Sequence, residues 1–234
     1  MLLAMDTSTS LVGAACLSGE TVLSQVTEAD SRRHAELLAP AVERALAQAG
    51  RAAGDVREVV TGVGPAPFTG LRVGIVTARV MARALRVPVY GVCSLDALAA
   101  QAQEWLSGHG ANGETEILVA TDARRQEVYW ARYTVGPHGV RRHGEPAVGR
   151  ADAIPEEVRD LPCAGRGPLL YPQALHPLAP LGDRAEPDLM DVQPSTVGRL
   201  ATQARHRRSP EPLYLRRPDA QPRRAAPAPV SASS

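Results

Sequence analysis

Four stretches of the chain carry residues whose types and spacing could do chemistry. Asp6-Thr7-Ser8-Thr9 is a carboxylate followed by three hydroxyls at the end of an apolar run. In a tight hairpin such a set can hold a hydrated magnesium ion and offer amide and hydroxyl donors to phosphate. The same residues also form turns that merely satisfy their own backbone. Gly62-Val63-Gly64-Pro65-Ala66-Pro67-Phe68-Thr69-Gly70-Leu71-Arg72 joins an apolar run to a helical pattern, which can aim free helix amides at an anion. It is not a P-loop: the spacing differs, and Pro67 removes a backbone donor while holding Ala66 extended. The structural alternative is a rigid turn that seats the next helix, with Phe68 as its apolar anchor. Asp6, Thr7, Gly64 and Thr69 are therefore the candidate nucleotide contacts, with the pairs Gly62-Gly64 and Gly165-Gly167 as glycine turns. The fourth stretch, Asp122, Arg124, Arg125 and Glu127, reads either as a basic contact loop or as a hairpin turn with local ion pairs, each worth little when exposed.

Composition narrows the chemistry. All 26 basic residues are arginine, so no lysine is present to meet a nucleotide phosphate, form a Schiff base or activate a serine. Aromatics are 3% with Phe68 the single phenylalanine, which argues against stacking of single-stranded bases on aromatic rings. Cys16, Cys93 and Cys163 are odd in number and match no zinc spacing, so no disulfide framework or metal is expected and a reducing cytoplasm fits. No stretch approaches the ~18 uncharged apolar residues of a membrane span, and neither export nor insertion is expected. Residues 1–100 are formally neutral, 101–198 carry −5 and 199–234 carry +6. The basic end reads as a solvated terminus, with RNA steering as the alternative.

The elements that must position these residues follow from pattern. Leu2–Met5, Val12–Leu17 and Thr21–Val26 read as hairpin strands. Ser31 is placed to cap a helix over 32–49 that contains Pro40. Val56–Val63 reads as a strand, about 70–86 as a helix, Pro88–Cys93 as a strand, and Ser94 as the cap of a helix to about Leu106. After Gly108-His109-Gly110 the chain starts again with strands Glu116–Thr121 and Glu127–Val135, the second with Val128 and Trp130 on one face and Tyr129, Ala131 and Tyr133 on the other. A short helix near 152–160, a strand at 161–164, a proline-rich stretch at 168–194 and a helix capped by Ser195 complete it. This order is α/β with mixed sheets. Residues 1–110 form one lobe, 111–216 a smaller one and 217–234 a disordered tail.

Five motifs occur in order: Leu2-Leu3-Ala4-Met5-Asp6-Thr7-Ser8-Thr9, Arg33-His34-Ala35-Glu36-Leu37-Leu38-Ala39-Pro40, Gly64 to Gly74, Asp122 to Tyr129, and Pro212-Leu213-Tyr214-Leu215-Arg216. Together they resemble the TsaB (YeaZ) family, the dimerisation subunit of bacterial tRNA threonylcarbamoyladenosine synthesis. The match is good over about 1–135 and patchy beyond, until the final Tyr-Leu-Arg. The glycine run departs from the family's usual pattern at Ala66 and Pro67, which stand for Gly and Ser. The resemblance implies a two-lobed actin-like (ASKHA, ribonuclease-H-like) fold related to the catalytic subunit TsaD but without its active site. The TsaD family binds metal through two histidines four apart on the first long helix, where both face one side. Here His34 is followed at that spacing by Leu38, so neither metal nor peptidase chemistry is expected.

Helix 70–86 carries apolar residues around most of its circumference, more than one sheet face requires. With Ala35, Leu38, Val42 and Leu46 on the first helix, Val73, Val76 and Val80 would allow a close helical contact with another subunit. The alternative is that the first helix covers the second within one chain. The resemblance implies the subunit contact, made with a TsaD-like transferase and with a second copy, in a complex that includes a TsaE-like ATPase and reaches tRNA indirectly. No cofactor is expected beyond weak ATP or ADP with magnesium. The competing function is an independent actin-like ATPase or phosphotransferase using Asp6 and magnesium.

Overall fold

A computed structural model describes residues 1–30, 33–180 and 187–216. Strands β1 (Leu2–Asp6), β2 (Leu11–Ser18) and β3 (Thr21–Ala29) form an antiparallel meander, followed by α1 (His34–Gln48), β4 (Glu58–Gly62), α2 (Phe68–Leu85) and β5 (Val89–Val92). The sheet order is β3-β2-β1-β4-β5, with β4 parallel to β1 and β5 parallel to β4. Helix α3 (Ser94–Gly108) leads to β6 (Thr115–Asp122), β7 (Glu127–Gly136), β8 (Gly139–Arg150), α4 (Glu156–Arg159), β9 (Pro162–Ala164), α5 (Gly167–Leu170) and β10 (His176–Pro177). Their sheet, β10-β9-β6-β7-β8, has the same plan: a three-strand meander, then two parallel strands beside its first strand. The last α-helices among the described residues are α6 (Pro187–Met190) and α7 (Pro194–Thr202).

Both faces of the first sheet are covered. Leu3, Met5, Val12, Ala14 and Cys16 point to one side, where Leu38, Ala41, Val42, Ala45 and Leu46 of α1 and Ala78 and Ala82 of α2 meet them. Their alternating neighbours Leu2, Ala4, Ala15 and Leu17 point to the other, against Val197 and Leu200 of α7, and this core continues through Leu95 and Leu98 of α3 to Ile117, Val119 and Tyr133 of the second sheet. The far side of that sheet buries Leu118, Val128, Ile154 and Val158. Helices α3 and α7 thus lie between the two sheets, and period-two alternation along β1, β2, β6 and β7 feeds the separate layers.

The expected alternation of β7 is present, with Ala131 and Tyr133 in the core between the sheets and Val128 and Trp130 on the far side. Several boundaries differ. Helix α2 starts at Phe68, after Pro67, rather than at Gly70. Ser94 begins α3 but caps nothing: its Oγ accepts from Gly64 N–H at 3.1 Å and its own N–H donates to Gly64 O at 2.8 Å, which ties α3 to the β4–α2 loop. Ser195 likewise donates its N–H to Gln25 Oε1 at 2.8 Å, and α7 starts after Gln193. The twelve-residue β8 was not expected, because Arg141-Arg142-His143 interrupts any alternation. Ser31 and the tail 217–234 lie outside the described residues.

One buried charged cluster fixes α3 to the second sheet. Asp96, 8% exposed, accepts on Oδ1 from the Tyr133 hydroxyl at 2.8 Å and from Arg142 Nη1 at 2.5 Å. Burial, together with the Asp96 charge, holds the Tyr133 phenol protonated well above its ordinary range. Removing the arginine leaves a buried carboxylate with only the phenol as partner. Arg142→Leu should therefore cost about 3 kcal/mol in urea unfolding, and adding Asp96→Asn should restore part of the loss because the uncompensated charge is gone.

Candidate functional site

The β1–β2 hairpin, the start of α1, the β4–α2 loop, the β6–β7 turn and the start of α5 surround a cavity of about 350 Å³. Thr7, Ser8, Thr9, Ser10, His34, Thr69, Gly70, Asp122, Arg124 and Arg166 supply its polar wall, and Pro67 and Met190 its apolar wall. The structure therefore brings together two of the four candidate nucleotide contacts, Thr7 and Thr69. It does not bring Asp6 or Gly64 to the cavity wall.

Asp6 is fully buried behind the hairpin. Its Oδ1 accepts from the Ser8 N–H and the Ser8 hydroxyl, each at 2.8 Å. Oδ2 has no hydrogen-bond partner among the described residues and presses on the Gly62 backbone, where an added Cβ would sit 1.8 Å from it. Burial pushes the Asp6 carboxyl up to about 7; the Ser8 hydrogen bonds oppose this, the nearby Asp191 charge adds to it, and the Ser94 hydroxyl opposes it weakly. Gly62 thus makes room for a carboxylate of its own chain. Gly165 serves packing too: at φ +94°, an added Cβ would lie 2.3 Å from Ala120 O.

Most donors on the wall are committed within the chain. Thr7 Oγ1 donates to Gly70 O at 2.8 Å and accepts from Gly74 N–H at 3.1 Å, pinning the hairpin to α2. His34 Nε2–H donates to Thr9 O at 3.1 Å. Ser10 N–H donates to Asp191 Oδ1 at 3.1 Å, and Arg166 grips the same carboxylate in a fork, Nη2 to Oδ2 at 2.6 Å. Arg124 pairs with Asp122 at 3.0 Å at the tip of the β6–β7 turn. This donor set does not fit a magnesium nucleotide. The carboxylate that would hold the ion faces away from the cavity, and the Thr7 and Ser8 hydroxyls and the Ser8 and Ser10 amides, which could meet phosphate, already have acceptors within the chain. Among the described residues no three His, Cys, Asp or Glu side chains gather as a metal shell.

The expected contact residues divide. Val76 and Val80 on α2 are 58% and 62% exposed. Ala35 is exposed and Val73 half-buried. Leu38, Val42 and Leu46, expected at a subunit contact, are instead buried in the chain's own core against β2 and β3. Helical spacing showed that α1 has an apolar stripe but not that its own sheet takes Leu38, Val42 and Leu46. Arg166 and Asp191 were missed. Their only signal was the position of Gly165-Arg166-Gly167 after a strand of the second lobe, matching the place of the Gly62-Gly64 turn in the first.

Comparisons with known proteins agree with this architecture. A family model described as TsaD, tRNA N6-adenosine threonylcarbamoyltransferase, matches residues 20–165. The Escherichia coli tRNA threonylcarbamoyladenosine biosynthesis protein TsaB is 35% identical over 162 residues, covering 68% of this chain and 67% of that protein. YeaZ from Pseudomonas aeruginosa superposes with a TM-score of 0.73 at 31% identity, over 92% of this chain and 99% of that one. The chain belongs to the TsaB (YeaZ) family. An uncharacterized Mycobacterium tuberculosis protein, Rv3421c, is 41% identical over 225 residues, 94% of each chain. The repeated five-stranded sheets are the two lobes of the actin-like fold that TsaB shares with the TsaD family. In this TsaB-family chain the Asp6 carboxylate and the Thr7 and Ser8 hydroxyls of the first-lobe hairpin are engaged within the chain.

The raised carboxyl has a pH consequence. The native state holds the Asp6 proton more tightly than the unfolded chain, so the contribution is complete below about pH 4 and is lost as pH rises to about 7. Asp6→Asn keeps the acceptor for Ser8 and removes the titration. Its unfolding free energy relative to wild type should climb across about pH 4 to 7 by up to about 4 kcal/mol and then level off. A difference independent of pH in urea melts would contradict the buried-carboxyl account.

Proposed function

We propose that this chain is a non-catalytic scaffold in tRNA threonylcarbamoyladenosine biosynthesis, and that it binds a TsaD-like transferase through the outer face of α2. The observation that carries the reading is the exposure of Val76 and Val80, one turn apart on an eighteen-residue helix whose opposite stripe already covers the sheet. Burying the remainder of each valine side chain is worth on the order of 1 kcal/mol, and Arg72, Arg79 and Arg83 around them are exposed. That the Escherichia coli relative is a tRNA threonylcarbamoyladenosine biosynthesis protein supports the pathway.

On this reading the chemistry of threonylcarbamoyl transfer to the adenosine beside the anticodon belongs to the partner. This chain holds no resident nucleotide, works in the cytoplasm and meets tRNA only through the complex, which a TsaE-like ATPase joins. A second copy would use the same α2 face, so homodimer and partner complex compete for it. The inward-turned hairpin donors support a scaffold over an independent ATPase.

The test is Val76→Asp with Val80→Asp. Both side chains are exposed, so the fold should be unaffected, while carboxylates in the centre of an apolar contact should lower affinity for the TsaD protein of the same genome by at least about 100-fold. Co-purification and threonylcarbamoylation of tRNA should both be lost. Retention of both would show that α2 is not the contact.

A further inference from the structure

After α7 the chain passes over the first lobe, and its last described residue, Arg216, contacts the second. Arg207 lies over the Tyr90 ring at 4.4 Å and pairs with Glu58 at 3.0 Å. Arg208 and Gly91 exchange backbone hydrogen bonds, each 2.9 Å, along the β5 edge. Leu213 donates its N–H to Val63 O at 2.8 Å and packs on Val63, Ala66, Leu71 and Ile75. The strap therefore runs over the glycine-rich loop at the base of α2.

Its last described residues make two contacts with different lobes. The Tyr214 hydroxyl accepts from Arg72 Nε at 2.7 Å, the guanidinium is 5.6 Å from the ring centroid, and the residue is 40% exposed. Arg72, Val76 and Val80 follow one another at i, i+4, i+8 on α2, so Tyr214 continues the exposed stripe at its N-terminal end. Two residues on, Arg216 forms an ion pair with Glu127 and reaches Ala123 O at 3.5 Å. Ala123 and Glu127 flank the β6–β7 turn, in which Arg124, Arg125 and Gln126 are all left-handed, at φ 61°, 55° and 63°. Three successive residues with side chains persist in that region only where their surroundings hold them. Arg124 of this turn is part of the cavity wall.

We infer that residues 212–216 join the α2 face and the cavity turn into one unit: a partner seated on Val76 and Val80 also seats on Tyr214, and through Arg216 it holds the 123–127 turn. The inference rests on the α2 face proposed above and adds the partner's chemistry and the consequence of binding. The occupant is a protein whose contact has an apolar centre and an acidic rim, since Arg72, Arg79 and Arg83 surround the valines. A second copy packed α2 on α2 would set arginines against arginines, so in the competition for this face the acidic-rimmed hetero-partner is the favoured occupant. Tyrosine and arginine at the edge of an apolar patch are the residue types that carry large shares of binding energy.

The experiment uses the full chain and the TsaD protein of the same genome, with affinity and amide hydrogen exchange read together. Tyr214→Ala should weaken binding by about 10-fold or more. In the wild type, the partner should slow exchange at residues 123–127 by about 5-fold or more. Arg216→Gln should bind within about 2-fold of wild type and yet lose that slowing, and the charge-exchanged pair Arg216→Glu with Glu127→Arg should recover it. Slowing that survives in Arg216→Gln, no slowing in a wild-type complex, or failure of the exchanged pair to recover it overturns the link. Full affinity in Val76→Asp with Val80→Asp would instead remove the α2 face itself. Absence of any wild-type binding would remove both.

Discussion

The first sheet is buried on both faces, and the way each face is covered determines what the surface has left over. On the inner face α7 and α3 fill the space between two sheets, so their apolar residues are consumed by the fold. On the outer face two helices share one sheet, and α1 gives Leu38, Ala41, Val42, Ala45 and Leu46 to it. Helix α2 gives Ala78 and Ala82 to the sheet and Leu71 and Ile75 to the loop beneath it, yet still presents Val76 and Val80 to water. A helix that is apolar beyond the stripe its sheet requires needs a second cover.

The same economy explains the cavity. An actin-like hairpin with an acid and three hydroxyls has the composition of a phosphate cradle, but composition does not say where the donors point. Here Asp6 is held inward by Ser8 and faces Gly62, Thr7 bridges to Gly70 and Gly74, and Asp191 engages both Ser10 and Arg166. The bonds of Asp6 and Thr7 fix the hairpin within the first lobe, and Asp191, engaged by both Ser10 and Arg166, ties the hairpin to the second lobe. A rigid junction beside an apolar helix is consistent with a subunit that positions another protein.

Much of the first lobe was legible in sequence because its strands are short, apolar and bounded by turn residues, and because the order of three strands and alternating helices restricts the fold. The second lobe was less so. Strand β8 pairs along β7 for most of its length, but Gly139 to Arg150 shows no alternation, because one of its arginines points into the buried Asp96 cluster. Ser94 and Ser195 marked helix starts to within two residues, but both lie inside the helix and their hydrogen bonds go to other parts of the chain. A one-dimensional pattern cannot distinguish a cap from a tertiary contact. For the same reason periodicity could not tell that Leu38, Val42 and Leu46 face inward while Val76 and Val80 face outward. The strap at 212–216 appeared as a motif without a role, since its partners Arg72 and Glu127 are far away in sequence.

The central claim is that the spare apolar stripe of α2 is covered by a TsaD-like protein. A photoactivatable phenylalanine analogue placed at position 80, with the full chain and that partner mixed at equal concentration, tests it most directly. The account predicts a cross-link from position 80 to the partner and none from the same analogue placed at the exposed Leu23 on the opposite edge of the sheet. A cross-link from Leu23 with none from position 80 would contradict it.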